Sequence, residues 1–100
     1  MKIAMIIPSL KNTAPNNIAL SICEGARKHG VNIDIYYLDE IVELDIDESE
    51  LNINRLNDRT ILNSYDIVHS HGLRPDVINC KTSKNVINVS TLHSFILDDL

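Results

Sequence analysis

Three of the four histidines in this sequence stand where a predicted strand ends. His69 and His71 follow the apolar pair at positions 67–68, and His93 follows a second apolar strand. An imidazole can donate or accept a hydrogen bond, and it can exchange a proton near neutral pH. Because ligands of open parallel sheets bind beyond the carboxyl ends of the strands, we expect these histidines to border a ligand site.

Metal binding is one interpretation of this histidine pattern. Residues two apart on a strand point to the same face, so His69 and His71 could ligate one ion while His93 approaches from the next strand. No nearby cysteine or carboxylate completes a ligand set, and this favours hydrogen bonding over ligation. We therefore expect His69 to be packed and hydrogen-bonded, and His71 and His93 to face a cleft. Neither a metal ion nor another cofactor is predicted.

The loop after the first strand excludes two common phosphate-binding motifs. Residues 8–15 contain neither Gly-x-Gly-x-x-Gly nor Gly-Lys-Ser/Thr, so neither a nicotinamide-binding turn nor a P-loop is predicted. Asp39, at the end of the second predicted strand, resembles a ribose-binding acid, but the glycines that this interpretation needs are missing. A formal net charge of −5 argues against nucleic acid as a partner, because little here would neutralise a phosphate backbone.

Alternating strands and helices must position these residues. Residues 3–7 form a continuous apolar run, which predicts a strand covered on both faces at the centre of a parallel sheet. Residues 8–15 are predicted to be a loop. Residues 31–37 alternate between apolar and polar, which predicts a half-buried strand closed by Asp39 and Glu40.

A helix is predicted between these two strands. Asn16 or Asn17 can cap its start, and Gly30 can end it because glycine readily adopts the left-handed conformation. The face expected to pack on the sheet consists of Ala19, Ile22, Cys23 and Ala26. Strand, helix and strand then form a crossover of the usual right hand.

The middle of the chain carries weaker patterns. Leu44 and Ile46 alternate with acidic neighbours and are predicted to form a short edge strand. Asn54 is predicted to cap a short helix that runs to Leu62. The polar and acidic stretch 48–54 is expected to be a solvated loop, not a metal site.

The second half predicts another strand–helix–strand unit. Residues 67–72 form a strand ending in a polar turn, Pro75 suits the first position of the next helix, and residues 86–91 form the last strand. Cys23 and Cys80 lie in predicted helices without metal or redox spacing, so both are expected to be buried, reduced thiols. The order predicts an α/β, Rossmann-like, three-layer domain over residues 1–100, with a parallel sheet in the order 3-2-1-4-5.

Three segments together resemble an enzyme family. They read Lys2-Ile-Ala-Met-Ile-Ile-Pro-Ser-Leu, then Tyr65-Asp-Ile-Val-His-Ser-His-Gly-Leu-Arg-Pro-Asp, then Val89-Ser-Thr-Leu-His. In this order they are similar to the N-terminal domain of retaining glycosyltransferases of the family-four type, which have the two-domain GT-B architecture. The resemblance covers nearly the whole chain.

The resemblance implies roles for individual residues. His93 occupies the position of a family histidine that reaches the reacting sugar, so a catalytic role is implied. His71 and Gly72 match a turn that lines the acceptor side. Thr13 and Ala14 stand where the family often has a Gly-Gly pair that approaches the donor diphosphate, and they are expected to border the substrate at a helix N-terminus.

The resemblance also implies partners. Such enzymes transfer a glycosyl group from a nucleotide diphosphate sugar to a polysaccharide or glycoconjugate acceptor, often a lipid-linked one, and a second domain chiefly holds the donor. We therefore expect residues 1–100 to be an incomplete N-terminal domain. The apolar run 3–7, ended by Pro8, is too short for a secretory signal, so a cytoplasmic enzyme is expected, peripheral to the membrane where its acceptor is a lipid.

An alternative function belongs to a different class. The missing second domain and the missing Gly-Gly pair also suit a non-catalytic Rossmann-like module that binds a partner or associates with itself. Strand 86–91, if left at the edge of the sheet, would present unpaired backbone groups to another chain.

Overall fold

A five-stranded sheet forms the centre of the computed structural model, which describes residues 1–44, 46 and 51–91. The strand order is β3-β2-β1-β4-β5, and every neighbouring pair is parallel. The strands are β1 (Ile3–Leu10), β2 (Ile33–Val42), β3 (Ile53–Arg55), β4 (Ile67–His71) and β5 (Ile87–Thr91). The helices are α1 (Ala14–Lys28), a 3-10 helix (Arg59–Ser64) and α2 (Leu73–Asn79). The predicted fold class, parallel sheet and strand order are confirmed.

Two apolar cores lie on opposite faces of β1. Met5 and Ile7 belong to the core that α1 covers with Ala19, Leu20 and Cys23. The alternate residues Ala4 and Ile6 belong to the second core, which contains Leu62 of the 3-10 helix, with Ile78 of α2 packed against it. All four of these β1 side chains are fully buried. The predicted central strand and three layers are therefore present.

β1 is longer than predicted. The expected loop from Pro8 is wrong at its start, because Ser9 still pairs with Asp39 of β2 and Leu10 pairs with Val42 after a bulge. Pro8 lacks an N–H donor, and the pairing of β1 with β4 ends at Ile6, so β1 continues beside β2 alone. β2 likewise begins two residues later than predicted and runs beyond Asp39 and Glu40.

α1 begins earlier than predicted. Its N-cap is Thr13, so the predicted caps Asn16 and Asn17 are wrong. The Asn16 side chain is instead buried and donates to the Lys11 carbonyl at 3.0 Å, and Asn17 donates to the Thr13 carbonyl at 2.9 Å. The end of the helix agrees with the prediction, since Gly30 has φ +81° and its N–H donates to the Arg27 carbonyl.

The buried face of α1 is rotated slightly from the predicted one. Ala19 and Cys23 are buried as expected, but Ile22 is 39% exposed and Leu20 takes its place in the core. Leu20 packs in the core that also holds Leu51, on the β2–β3 side of the helix. The predicted helical periodicity is therefore correct. The contact with the segment around Leu51 decides which side of the helix is buried.

The edge next to β2 is formed by a different segment from the predicted one. β3 is Ile53–Arg55, whereas Leu44 lies in a bend and Ile46 is outside regular structure. Asn54 therefore lies in a strand and caps no helix; Asp58 caps the 3-10 helix by accepting the Thr60 N–H at 3.0 Å. Residues 45 and 47–50, which include part of the predicted acidic loop, lie outside the described residues.

The second half follows the prediction with three local differences. Pro75 is the third residue of α2, where its missing N–H still needs no partner within the helix. Cys80 is exposed at the C-cap, so the prediction of a buried thiol is wrong there. β5 begins at Ile87 and is the last strand of the sheet in the described part of the chain. None of the described helices has the length and apolarity needed to cross a membrane.

Candidate functional site

The carboxyl ends of β1 and β4 meet at a contact between Pro8 and Gly72. Gly72 has φ +98°, and a Cβ atom added to it would lie 3.3 Å from Pro8 Cγ. Glycine is therefore favoured here both by its backbone conformation and by the close approach of Pro8. The contact brings the loop that leads to Thr13 and Ala14 to the same edge of the sheet as the turn at His71 and Gly72. Parallel sheets bind ligands at this edge, which we call the ligand edge.

His69 and His71 lie side by side on one face of β4. Their ring centroids are 4.5 Å apart with the planes tilted by 31°, and His69 Nε2 is hydrogen-bonded to Thr91 Oγ1. Because Met5 pairs with His69, the two rings lie on the sheet face that carries Met5 and Ile7. The expectation that His69 is packed and hydrogen-bonded is confirmed.

His71 is placed differently from the expectation. Its side chain is fully buried, so the predicted exposure to an open cleft is wrong. β4 continues through His71, so the imidazole lies beside His69 on a sheet face, and the packing on that face buries it. His71 still stands at the ligand edge, immediately before Gly72, and its role in an acceptor site stays a prediction.

The predicted catalytic histidine, His93, lies outside the described residues. Its role therefore stays a prediction from the sequence. Among residues 1–44, 46 and 51–91, no three histidine, cysteine or acidic side chains are close enough to hold a metal ion.

A polar network between α2 and the sheet was not predicted. It consists of Ser70, Asp76, Asn79, Asn88 and Ser90. Asp76 accepts from Ser70 Oγ at 2.6 Å and from Ser90 Oγ at 2.8 Å. Asn79 donates to the Val68 and Val89 carbonyls, which belong to β4 and β5. The sequence did contain a signal for this network. Asp76 and Asn79 are three residues apart on one face of a helix, and polar residues occupy alternate positions of the strands that this face meets. The network holds α2, and with it the turn at Gly72, against both strands.

An ion pair crosses the ligand edge. No sequence pattern predicted that its two residues meet. Arg74 donates to the two Asp39 carboxylate oxygens at 2.7 and 3.2 Å. Asp39 lies near the end of β2 and Arg74 near the start of α2, so the pair spans the carboxyl end of β1. The hydrogen bond from Arg74 is the main reason that the pKa of Asp39 lies below its usual value. Asp39 is thus hydrogen-bonded to a guanidinium, a contact that the comparison with a ribose-binding acid did not include.

The two thiols are not organised for nucleophilic chemistry. Cys23 is buried in the α1-side core, 3.6 Å from Met5 Sδ, and burial raises its pKa to about 12. A thiol protonated to that degree is a poor nucleophile at neutral pH. Cys80 is exposed and donates to the Val77 carbonyl at 3.0 Å.

A second hydrogen-bonded cluster lies at the opposite, amino-terminal side of the sheet. The Tyr36 and Tyr65 hydroxyls are 2.7 Å apart, and Tyr65 donates to Asp34 at 2.6 Å. Burial, together with the hydrogen bond to Asp34, raises the pKa of Tyr65. Since Asp34 pairs with Ala4 near the start of β1, this cluster lies away from the ligand edge and joins the 3-10 helix segment to the sheet.

Two curated proteins are similar to this chain over its whole length. Both are named O-antigen biosynthesis glycosyltransferase WclY, from Escherichia coli; each is 36% identical over 110 aligned positions. The alignment covers all of this chain and 30% of each relative, so the chain spans less than a third of their length. No protein-family profile and no solved structure matches the chain. The similarity agrees with the glycosyltransferase class that the three sequence segments predicted.

Proposed function

We propose that this chain forms the acceptor-side, N-terminal α/β part of a glycosyltransferase. The enzyme would move a sugar from a nucleotide diphosphate sugar to a polysaccharide or glycoconjugate acceptor. The observation that carries the proposal is the 36% identity along the entire chain to two O-antigen biosynthesis glycosyltransferases. The parallel sheet supports it, because such a sheet offers a ligand edge at the carboxyl ends of its strands.

The finer assignment is a retaining enzyme of the family-four type with two domains. It is supported by the three sequence segments and by the length of the relatives, of which this chain matches 30%. In such an enzyme, residues 1–100 would form one wall of a cleft and a second domain would hold most of the donor. Two walls are needed because catalysis depends on fixing donor and acceptor in one reactive geometry.

The residues at the ligand edge are proposed to have different roles in binding the donor and the acceptor. Thr13 and Ala14 begin α1, a helix of 15 residues with no acidic side chain in its first turn, so its N-terminal N–H groups can attract the donor diphosphate. Gly72 shapes the acceptor side through its contact with Pro8. Buried His71 is a positioning residue beside that turn. His93 is proposed to hydrogen-bond the reacting sugar.

A chimera tests the proposal directly. The aligned segment of the E. coli relative is replaced by residues 1–100 of this chain, and the chimera is expressed in a strain that lacks the relative. We expect the chimera to restore O-antigen on the extracted lipopolysaccharide. The matched control is the same chimera with His93→Ala, which is expected to be present at the same level and to restore little.

The alternative function, a non-catalytic self-association module, predicts a different outcome. A chimera that is folded and present at the wild-type level yet makes no O-antigen would contradict the glycosyltransferase proposal. The same result combined with a stable dimer of the isolated chain would favour the module, because β5, the last strand of the sheet in the described part of the chain, would offer an edge for pairing.

A further inference from the structure

We propose that Asp39 and Arg74 form a subsite for the hydroxyl groups of a neutral sugar. The inference rests on the proposed function, because only a glycosyltransferase would have this sugar as its substrate. It begins from a different observation, namely the bidentate pair that crosses the ligand edge. Arg74 lies in the second of the three segments that resemble the family, whereas Asp39 lies outside all three.

The subsite lies where a ligand can reach it. The Arg74 side chain is 62% exposed and that of Asp39 is 42% exposed. The pair spans the carboxyl end of β1, close to the contact between Pro8 and Gly72. Leu73, next to Arg74, and Ile41, two residues after Asp39, are apolar and also exposed. Polar and apolar side chains exposed in the same stretch of chain suit a ring that has both hydroxyl groups and a C–H face.

The chemistry of the pair favours hydroxyl groups over anions. A guanidinium carries five N–H donors and a carboxylate accepts about four hydrogen bonds, so the two bonds between Arg74 and Asp39 leave donors and acceptors unused. Adjacent sugar hydroxyls both donate and accept, and they can engage both partners together. A phosphate or carboxylate ligand would meet Arg74 with its charge already neutralised by Asp39. A neutral sugar is therefore the better match.

A purely structural role explains the pair less well. An exposed ion pair contributes little to stability, usually about 0–1 kcal/mol. The polar network around Asp76 and Asn79 already holds α2 against β4 and β5. A second exposed ion pair, between Arg55 and Glu40, joins β3 to β2 at the outer side of the sheet. It has the same chemistry farther from β4. The charge of Arg55 also helps to lower the pKa of Asp39, so the matched control is Arg55→Lys, which keeps that charge and changes only the guanidinium.

Nuclear magnetic resonance on the 100-residue chain tests the subsite without any turnover. Methyl α-D-glucopyranoside is the neutral probe; sodium glucuronate and inorganic phosphate are the anionic probes. We expect the neutral glycoside to shift the Arg74 Nε–H signal with a dissociation constant on the order of 1 mM, typical of a ligand this small. Binding to the variants is followed by the backbone N–H signals of residues 73 and 74, because Arg74→Lys has no guanidinium N–H. Arg74→Lys and Asp39→Asn should each weaken binding about tenfold, because each removes a charge-assisted, bidentate partner. Arg55→Lys should leave the affinity unchanged.

Several outcomes would overturn the subsite. They are a Nε–H signal that no probe shifts, a phosphate or glucuronate affinity equal to or above that of the glycoside, and equal weakening by Arg55→Lys. The chimera separates this failure from failure of the proposed function. O-antigen made equally well with and without Arg74→Lys would overturn the subsite and leave the function standing. Glycoside binding at Arg74 together with an inactive, folded chimera would do the reverse.

Discussion

Cys23 and Cys80 carry the same thiol in opposite environments. Cys23 lies in the core with its pKa raised to about 12 by burial, and Cys80 lies at the exposed end of α2. We expect a disulfide reagent at pH 8 to modify Cys80 within the mixing time of a manual assay and Cys23 only as fast as the protein unfolds. Counting released thiolate over time, with Cys80→Ser as the control, checks this. Two fast thiols in the folded chain would contradict the packing of α1.

The raised pKa of Cys23 also fixes the direction of a pH effect. The folded chain holds the proton more tightly than the unfolded chain, whose thiol has a pKa of 9.0. The stabilisation is therefore complete below about pH 9 and is lost as the pH rises from about 9 towards 12. Cys23→Ala should flatten this part of the curve of unfolding free energy against pH.

His93 carries the most specific prediction about catalysis. If its imidazole makes a hydrogen bond that strengthens in the transition state, His93→Ala in the chimera should cost about 2–4 kcal/mol, roughly thirty- to a thousandfold in turnover. The melting temperature should hardly change. Turnover per folded molecule and melting temperature are measured on one preparation. A variant that melts early but remains fully active would end the catalytic assignment.

Gly72 links two elements, and its replacement tests the contact between them. Gly72→Ala puts a Cβ at φ +98° and 3.3 Å from Pro8 Cγ, so we expect a loss of about 1–3 kcal/mol in unfolding free energy. Gly25→Ala is the matched control, since Gly25 lies within α1 and the added Cβ meets no atom within 4 Å apart from the adjacent backbone of its own helix. It should stabilise the chain by about 0.5–1 kcal/mol. Denaturant unfolding of both variants checks the prediction, and similar effects in the two would contradict it.

β5 is the last strand of the sheet among the described residues, and this position sets an expectation for the whole molecule. Ile87 is 61% exposed and Val89 is 41% exposed, and β5 carries no lysine or proline to block pairing. We expect the isolated chain to form dimers at high concentration, seen by light scattering, and Ile87→Lys to shift it towards the monomer. Ile18→Lys, on the exposed face of α1, is the control and should not. A monomer at every concentration would contradict this expectation.

The isolated chain is expected to be inactive as a transferase. It matches 30% of each relative, and in the proposed two-domain enzyme both domains are needed to fix donor and acceptor together. Calorimetric titration with uridine and guanosine diphosphate sugars should show no binding tighter than the millimolar range. Micromolar affinity for either donor would contradict the proposal that a second domain holds most of the donor.

Local patterns in the sequence determined the layers and the order of this fold. The uninterrupted apolar run in β1 required cover on both faces, and the short crossovers left few ways to arrange five parallel strands. Gly30 ended α1 as predicted because its backbone conformation is a local property. The positions of His69 and His71 at the carboxyl end of β4 followed from the same local patterns.

Only the tertiary structure decided which contacts those residues make. Strand alternation around β4 does not reveal whether a neighbouring element covers His71, and its complete burial depends on that packing. Ile53–Arg55 displaced Leu44 and Ile46 from the sheet edge because pairing beside β2 depends on how the intervening chain returns. The pair of Asp39 and Arg74 joins residues 35 positions apart. No local pattern encodes such a meeting, because it arises only when the strand order brings β2 and α2 to the same edge.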